Sequence, residues 1–148
     1  MRTGILAVAA LLAALAGATA ALAQAPQCSK TDFEGVVDEA AGALRKLNQQ
    51  NTPVFQGKLR QLRDKRGWSN DQFLIEAAPL VRDDTIAGFD QKTEEFLARI
   101  TSGGQSGASE APDCALLADL RATMKQLVDT QQAKWAYMFA KVDKELAK

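Results

Sequence analysis

From residue 31 onward, apolar side chains return every three or four positions, the spacing of a helix with one buried face. The first stripe is Phe33, Val36, Val37, Ala40, Ala41, Leu44 and Leu47, and it predicts a helix to about residue 50. Ser29 or Thr31 is placed to cap it, and Thr31-x-x-Glu34 has the spacing of a capping box. Acidic residues open this helix and Arg45 and Lys46 lie near its end, in agreement with the helix dipole. Thr52-Pro53 then predicts a new start or a kink, with Phe55, Leu59 and Leu62 on the buried side and Gly67 as terminator. A further start follows at Trp68-Ser69, where Ser69-x-x-Gln72 forms a capping box and Trp68 is placed to pack on Phe73. Phe73, Leu74 and Ala77 continue the pattern until Pro79, which is expected to end or bend the helix near residue 78. The stripe resumes through Ile86, Phe89, Phe96, Leu97 and Ile100.

Residues 101–112, TSGGQSGASEAP, are rich in Gly and Ser and carry no apolar period, which predicts a flexible loop. The last stripe includes Leu117, Leu120, Met124, Leu127, Trp135, Met138, Phe139, Val142 and Leu146. It predicts one helix from about residue 112 almost to the end of the chain, about 50 Å long. No segment alternates as a strand does. The fold class expected is therefore all-α, an elongated helical bundle with three long arms, the first two bent at Pro53 and Pro79. Five shorter helices are the alternative.

The first residues follow a different pattern. One charge, Arg2, precedes an uncharged run of Ala, Leu and Val, and small residues continue to Ala23, the three-part form of a cleaved export signal. Ala21 and Ala23 put small side chains where a signal peptidase reads them, so cleavage is expected after Ala23, leaving 24–148 as a single domain. No twin-arginine pair is present, and the run contains no cysteine for lipid attachment. This pattern predicts a periplasmic protein with no stable membrane insertion once residues 1–23 are removed.

An oxidising compartment changes how the two cysteines are read. Cys28 and Cys114 are expected to form a structural disulfide, which in the chain-entropy model contributes about 4–5 kcal/mol. Cys28 precedes the first helix and Cys114 begins the last, so both helix starts must lie at one end of the bundle, which requires an odd number of passes.

Composition removes whole classes of chemistry. The chain contains no His, which excludes Ser-His-Asp and Cys-His nucleophiles, His-ligated haem and the common His-containing zinc sites. Asp83 to Glu94 has the length of a calcium loop, with Gly88 and Glu94 at its sixth and twelfth positions, but Thr85, Ala87 and Asp90 occupy positions where such a loop needs other residue types. No catalytic residue, metal site or cofactor is predicted. Its 18 Lys and Arg balance 18 Asp and Glu, which gives no reason to expect nucleic acid as a partner.

Two surface features remain. Arg60, Arg63 and Arg66 recur at i, i+3 spacing and predict a ridge able to hold an anionic partner. Tyr137 points away from Trp135 on the last helix and is the candidate contact aromatic. These observations predict a non-catalytic periplasmic interaction protein, an accessory subunit, chaperone-like factor or regulator that binds another envelope protein through a helical face. The alternative is a bundle carrying a small apolar or amphipathic ligand between its arms.

Overall fold

Short polar side chains set where the three longest helices begin, and a computed structural model of the chain describes residues 28–109 and 113–148. The export signal, its cleavage site and residues 110–112 lie outside the described residues. Five helices follow in order: α1 (Lys30–Arg66), α2 (Asn70–Glu76), α3 (Ala78–Val81), α4 (Asp84–Ser109) and α5 (Cys114–Leu146). Ser29, not Thr31, caps α1. Its hydroxyl accepts from the Asp32 amide at 3.3 Å while the Asp32 carboxylate accepts from the Ser29 amide at 2.7 Å, a capping box displaced from the one expected at Thr31 and Glu34.

α1 runs unbroken through Pro53, because losing one backbone donor is offset by apolar residues on both sides, with Phe55 and Leu62 buried beyond it. Two residues before Pro53, the Asn51 side chain donates to the Leu47 carbonyl at 2.9 Å. Gly67 ends the helix at φ 64, the left-handed conformation glycine adopts without a Cβ penalty, and its amide reaches back to Arg63 and Asp64. Ser69 and Gln72 form the expected capping box of α2. The arm anticipated as one helix bent at Pro79 is divided further. α2 stops before Ala77, Pro79 sits in the first turn of α3, and the chain breaks again at Arg82 and Asp83 before α4.

Three long arms, α1, α4 and α5, make the bundle, and no strand occurs among the described residues. The Cys28–Cys114 disulfide, with Cα atoms 5.3 Å apart, joins the start of α1 to the start of α5. Those two arms therefore run parallel, as the pairs Asn48–Trp135 and Arg66–Glu145 also show. α4 runs back between their ends, its register fixed by Asp83 with Lys141, Asp90 with Lys134, Thr93 with Gln131 and Arg99 with Asp119. α5 packs along both other arms and is the central helix.

The loop expected at 101–112 is corrected over most of its length, since α4 continues as helix to Ser109. The glycines that suggested a loop have a different purpose. A Cβ on Gly107 would lie 2.2 Å from the Phe33 ring, and one on Gly103 would lie 2.6 Å from Leu120 Cδ2. Their missing side chains let α4 approach α1 and α5 closely, a packing role that composition alone does not separate from flexibility.

Side chains fill the interior in two clusters. Near the disulfide, Phe33, Val36, Ala40, Ile100, Leu117, Leu120, Met124 and Leu127 pack together. At the far end Phe55, Leu62, Leu80, Ile86, Met138 and Val142 form the second cluster, with Trp68 and Trp135 at its margin. Phe55 meets Trp135 and Phe139 edge to face with ring centres 5.7 and 5.4 Å apart.

Candidate interaction surface

The basic cluster noted near the end of α1 has two uses. Lys65 donates to the Leu146 carbonyl at 2.6 Å, and Arg66 donates to the Glu145 carbonyl at 3.1 Å and reaches its carboxylate at 3.5 Å. Both cations thus satisfy the exposed carbonyls at the C-terminus of α5, where a helix dipole favours positive charge. Lys58 also pairs with Asp143. Glu145 is held below the usual carboxylate range by Lys148 first, and by the nearby charges of Arg66 and Lys144. Arg66 is therefore committed to the junction between α1 and α5. Arg63 pairs with its neighbour Asp64 at 2.9 Å, and Arg60 is exposed with no ion pair among the described residues. The ridge of three is thus split, with Arg66 turned to α5 and Arg60 and Arg63 on the outer side.

Tyr137 lies between helices instead of on an open face. Because α5 is central, the side of it that looks polar in sequence meets α4. There Tyr137 is half-buried, packs on Phe89 with ring centres 6.4 Å apart, and donates to Asp83 Oδ2 at 2.9 Å. The Lys141 ammonium, 5.4 Å from the Tyr137 ring centre, pairs with the same carboxylate and also donates to the Pro79 carbonyl. Asp83 Oδ1 in turn accepts from the Ile86 amide at 2.8 Å and caps α4. These bonds strap the break between α3 and α4 to the central helix.

Lys141 first, then the Ile86 amide and the Tyr137 hydroxyl, lower the Asp83 carboxyl to about 2. A carboxylate depressed in the folded state stabilises the fold above its ordinary titration range, and this contribution is lost as the pH falls from about 4 toward 2. The stability gap between wild type and Asp83→Asn is therefore expected to be constant above pH 5 and to shrink from pH 4 to pH 2. Denaturant titrations at each pH measure it, and a gap of the same size at pH 2 and pH 6 would contradict the assignment.

The feature that sequence reading missed is the exposure of the apolar residues on α2. None of its residues is buried, it contacts α3 and no other element extensively, and Leu74 and Ile75 stand 71% and 72% exposed. A trace of this was present in the sequence. Phe73, Leu74 and Ile75 are consecutive, and three adjacent residues of a helix cannot share one face. Beside α2 lies a hollow of about 290 Å³ whose apolar walls include Leu59 of α1, Phe73 and Leu74 of α2 and Val81 of α3, with Arg82 at its edge. Arg82 is exposed and has no ion pair among the described residues.

Two other grooves occur nearer the disulfide. One of about 400 Å³ between α1 and α5 is edged by Glu39, Arg121, Lys125 and Asp129, and one of about 490 Å³ between α1 and α4 includes Val37, Asp38 and Gln105. Among the described residues no cluster of three or more metal-ligating side chains occurs, and no helix is long and apolar enough to cross a membrane. Comparison of the chain with family models, curated proteins and solved structures gives no significant match.

Proposed function

We propose that the protein is a non-catalytic interaction protein of the bacterial periplasm, exported by its N-terminal signal, that binds another envelope protein through a helical face. The observation that carries this reading is the exposure of Leu74 and Ile75 on a helix that buries none of its residues. Two adjacent large apolar side chains left in water lower the stability of a monomer and become favourable when a partner covers them. A rigid three-arm bundle closed by a disulfide supplies the support, and the short helices at its far end supply the contact.

The alternative, a carrier for a small apolar ligand between the arms, has less in its favour. Two clusters of side chains occupy the interior, and the larger hollows are edged by charged residues.

Photo-crosslinking in living cells tests the proposal, with a photoreactive residue placed in turn at exposed positions on each helix. Capture of one discrete envelope protein from any helical face supports the reading. Capture of no protein from any position overturns it.

A further inference from the structure

We infer that Lys141 of the central helix is the positioning residue of the contact helix α2, acting on it through α3. The inference rests on the reading of Leu74 and Ile75 as the contact pair, and adds which residue outside that contact sets where the pair stands. α2 does not fix its own direction. It buries none of its residues, and the bonds between Ser69 and Gln72 that cap it lie within its own first turn. One end hangs from α1 through Gly67, Trp68 and Ser69, where Trp68 lies against the far apolar cluster and its amide donates to the Arg63 carbonyl at 3.1 Å. That end fixes a point and leaves the helix free to pivot over the hollow beside Leu59. The other end runs into α3, which is the element that α2 meets extensively.

What holds α3, four residues long, therefore decides where α2 points. Leu80 is buried in the far cluster, but apolar burial is non-directional and leaves a short helix free to roll about that side chain. Direction comes from hydrogen bonds. The chain leaves helical geometry at Arg82, so no following turn supplies an amide to the Pro79 carbonyl. The Lys141 ammonium takes that place. Among the described residues it is the side chain from a long arm that hydrogen-bonds the α3 backbone. The same ammonium pairs with Asp83, the residue that caps α4, so the negative end of α3 and the capping carboxylate of α4 converge on one cation. Without it the two would face each other. The Tyr137 hydroxyl and the Ile86 amide would still answer the carboxylate, but both are spent on Asp83 and neither bonds the Pro79 carbonyl. Loss of Lys141 thus lets α3 turn and α2 with it, while the disulfide and the two apolar clusters keep the three arms in place.

The test reads the position of α2 and its contact separately. Nitroxide labels at Asp71→Cys on α2 and Ala136→Cys on α5, both exposed positions, report the distance between the helices by pulsed electron spin resonance, with the Cys28–Cys114 bond intact. Lys141→Met removes the charge and keeps the length of the side chain, and is expected to broaden the distance distribution about twofold. Lys141→Arg keeps a cation with several donors and is expected to restore the wild-type distribution. Lys125→Met breaks a Lys–Asp pair within the same helix and is the matched control, expected to change nothing. In living cells, capture of the partner from a photoreactive residue at position 75 is expected to fall about fivefold in Lys141→Met, because the contact pair is in place for a smaller fraction of the time, and to recover in Lys141→Arg. Thermal unfolding checks that the arms are kept, and Lys141→Gln carries the same expectations should the methionine variant not unfold cooperatively. An unchanged distance distribution in the neutral variant would overturn the inference, whatever is captured from position 75. A broadened distribution with undiminished capture would overturn it also, as would a distribution that Lys141→Arg leaves broadened. Absence of capture from position 75 in the wild-type protein would remove the contact reading instead, and the distances alone would then decide whether Lys141 sets the position of α2.

Discussion

Removing the Cys28–Cys114 bond as Cys28→Ser with Cys114→Ser is expected to destabilise the fold by about 4 kcal/mol, a fall in Tm of roughly 10–25 °C. The bond closes a loop spanning 86 positions, so almost every helix lies within it and the unfolded chain loses much of its freedom when it is formed. In the folded state it joins two helix starts that side-chain packing also holds together, since Cys28 and Leu116 lie against the cluster around Phe33 and Leu117. The loss is therefore expected to be uneven. Amide exchange in the double variant should accelerate most at residues 30–40 and 114–124. It should change least at residues 55–62 and 138–142, which belong to the far cluster. Equal acceleration at the two ends would show that the two clusters do not open separately.

A single added methyl group provides the second large effect. Gly107→Ala is expected to destabilise the bundle by about 1–3 kcal/mol, although alanine favours a helix over glycine by about 1 kcal/mol. The new Cβ would lie 2.2 Å from Phe33 Cδ1 and 2.8 Å from its Cγ, so the whole ring or the whole helix must move, and Phe33 is buried in the cluster beside the disulfide. Gly88→Ala, in the same helix, is the matched control. Nothing lies within 4 Å of a Cβ built there, and the substitution is expected to stabilise by about 0.5–1 kcal/mol. Chemical denaturation of the pair measures opposite signs for the same chemical change. Stabilisation by both would mean that α4 does not pass so close to α1.

The architecture was legible because apolar periodicity and caps are local signals. Gly67, the Ser69–Gln72 box and the stripe of α5 lie where their spacing predicts. The pairing of Cys28 with Cys114 then puts the starts of α1 and α5 at one end, and α4 runs antiparallel between them. What was not legible depends on neighbours distant in sequence. Gly103 and Gly107 resemble loop glycines until Leu120 and Phe33 are seen packed against them. Tyr137 resembles an exposed ring until the central position of α5 brings α4 to its polar side. Arg66 resembles part of a free ridge until the parallel run of α1 and α5 brings the C-terminus of α5 to it. Of the proposed contact surface, the basic residues are visible in the sequence and the exposed apolar pair is not, because Leu74 falls at the spacing of an apolar stripe.

The claim that the α2 end is the contact surface is tested most directly by comparing two photo-crosslinking positions in living cells. One photoreactive residue replaces Ile75 on α2, and the other replaces Val37, which lies in the groove between α1 and α4 near the disulfide. About 33 Å of α1 lies between Val37 and Leu59, the α1 residue that shares a hollow with α2, so a crosslinker at one position cannot reach a small contact seated only at the other. The predicted result is an envelope protein captured from position 75 and not from position 37. Capture from position 37 with none from position 75 would contradict the account.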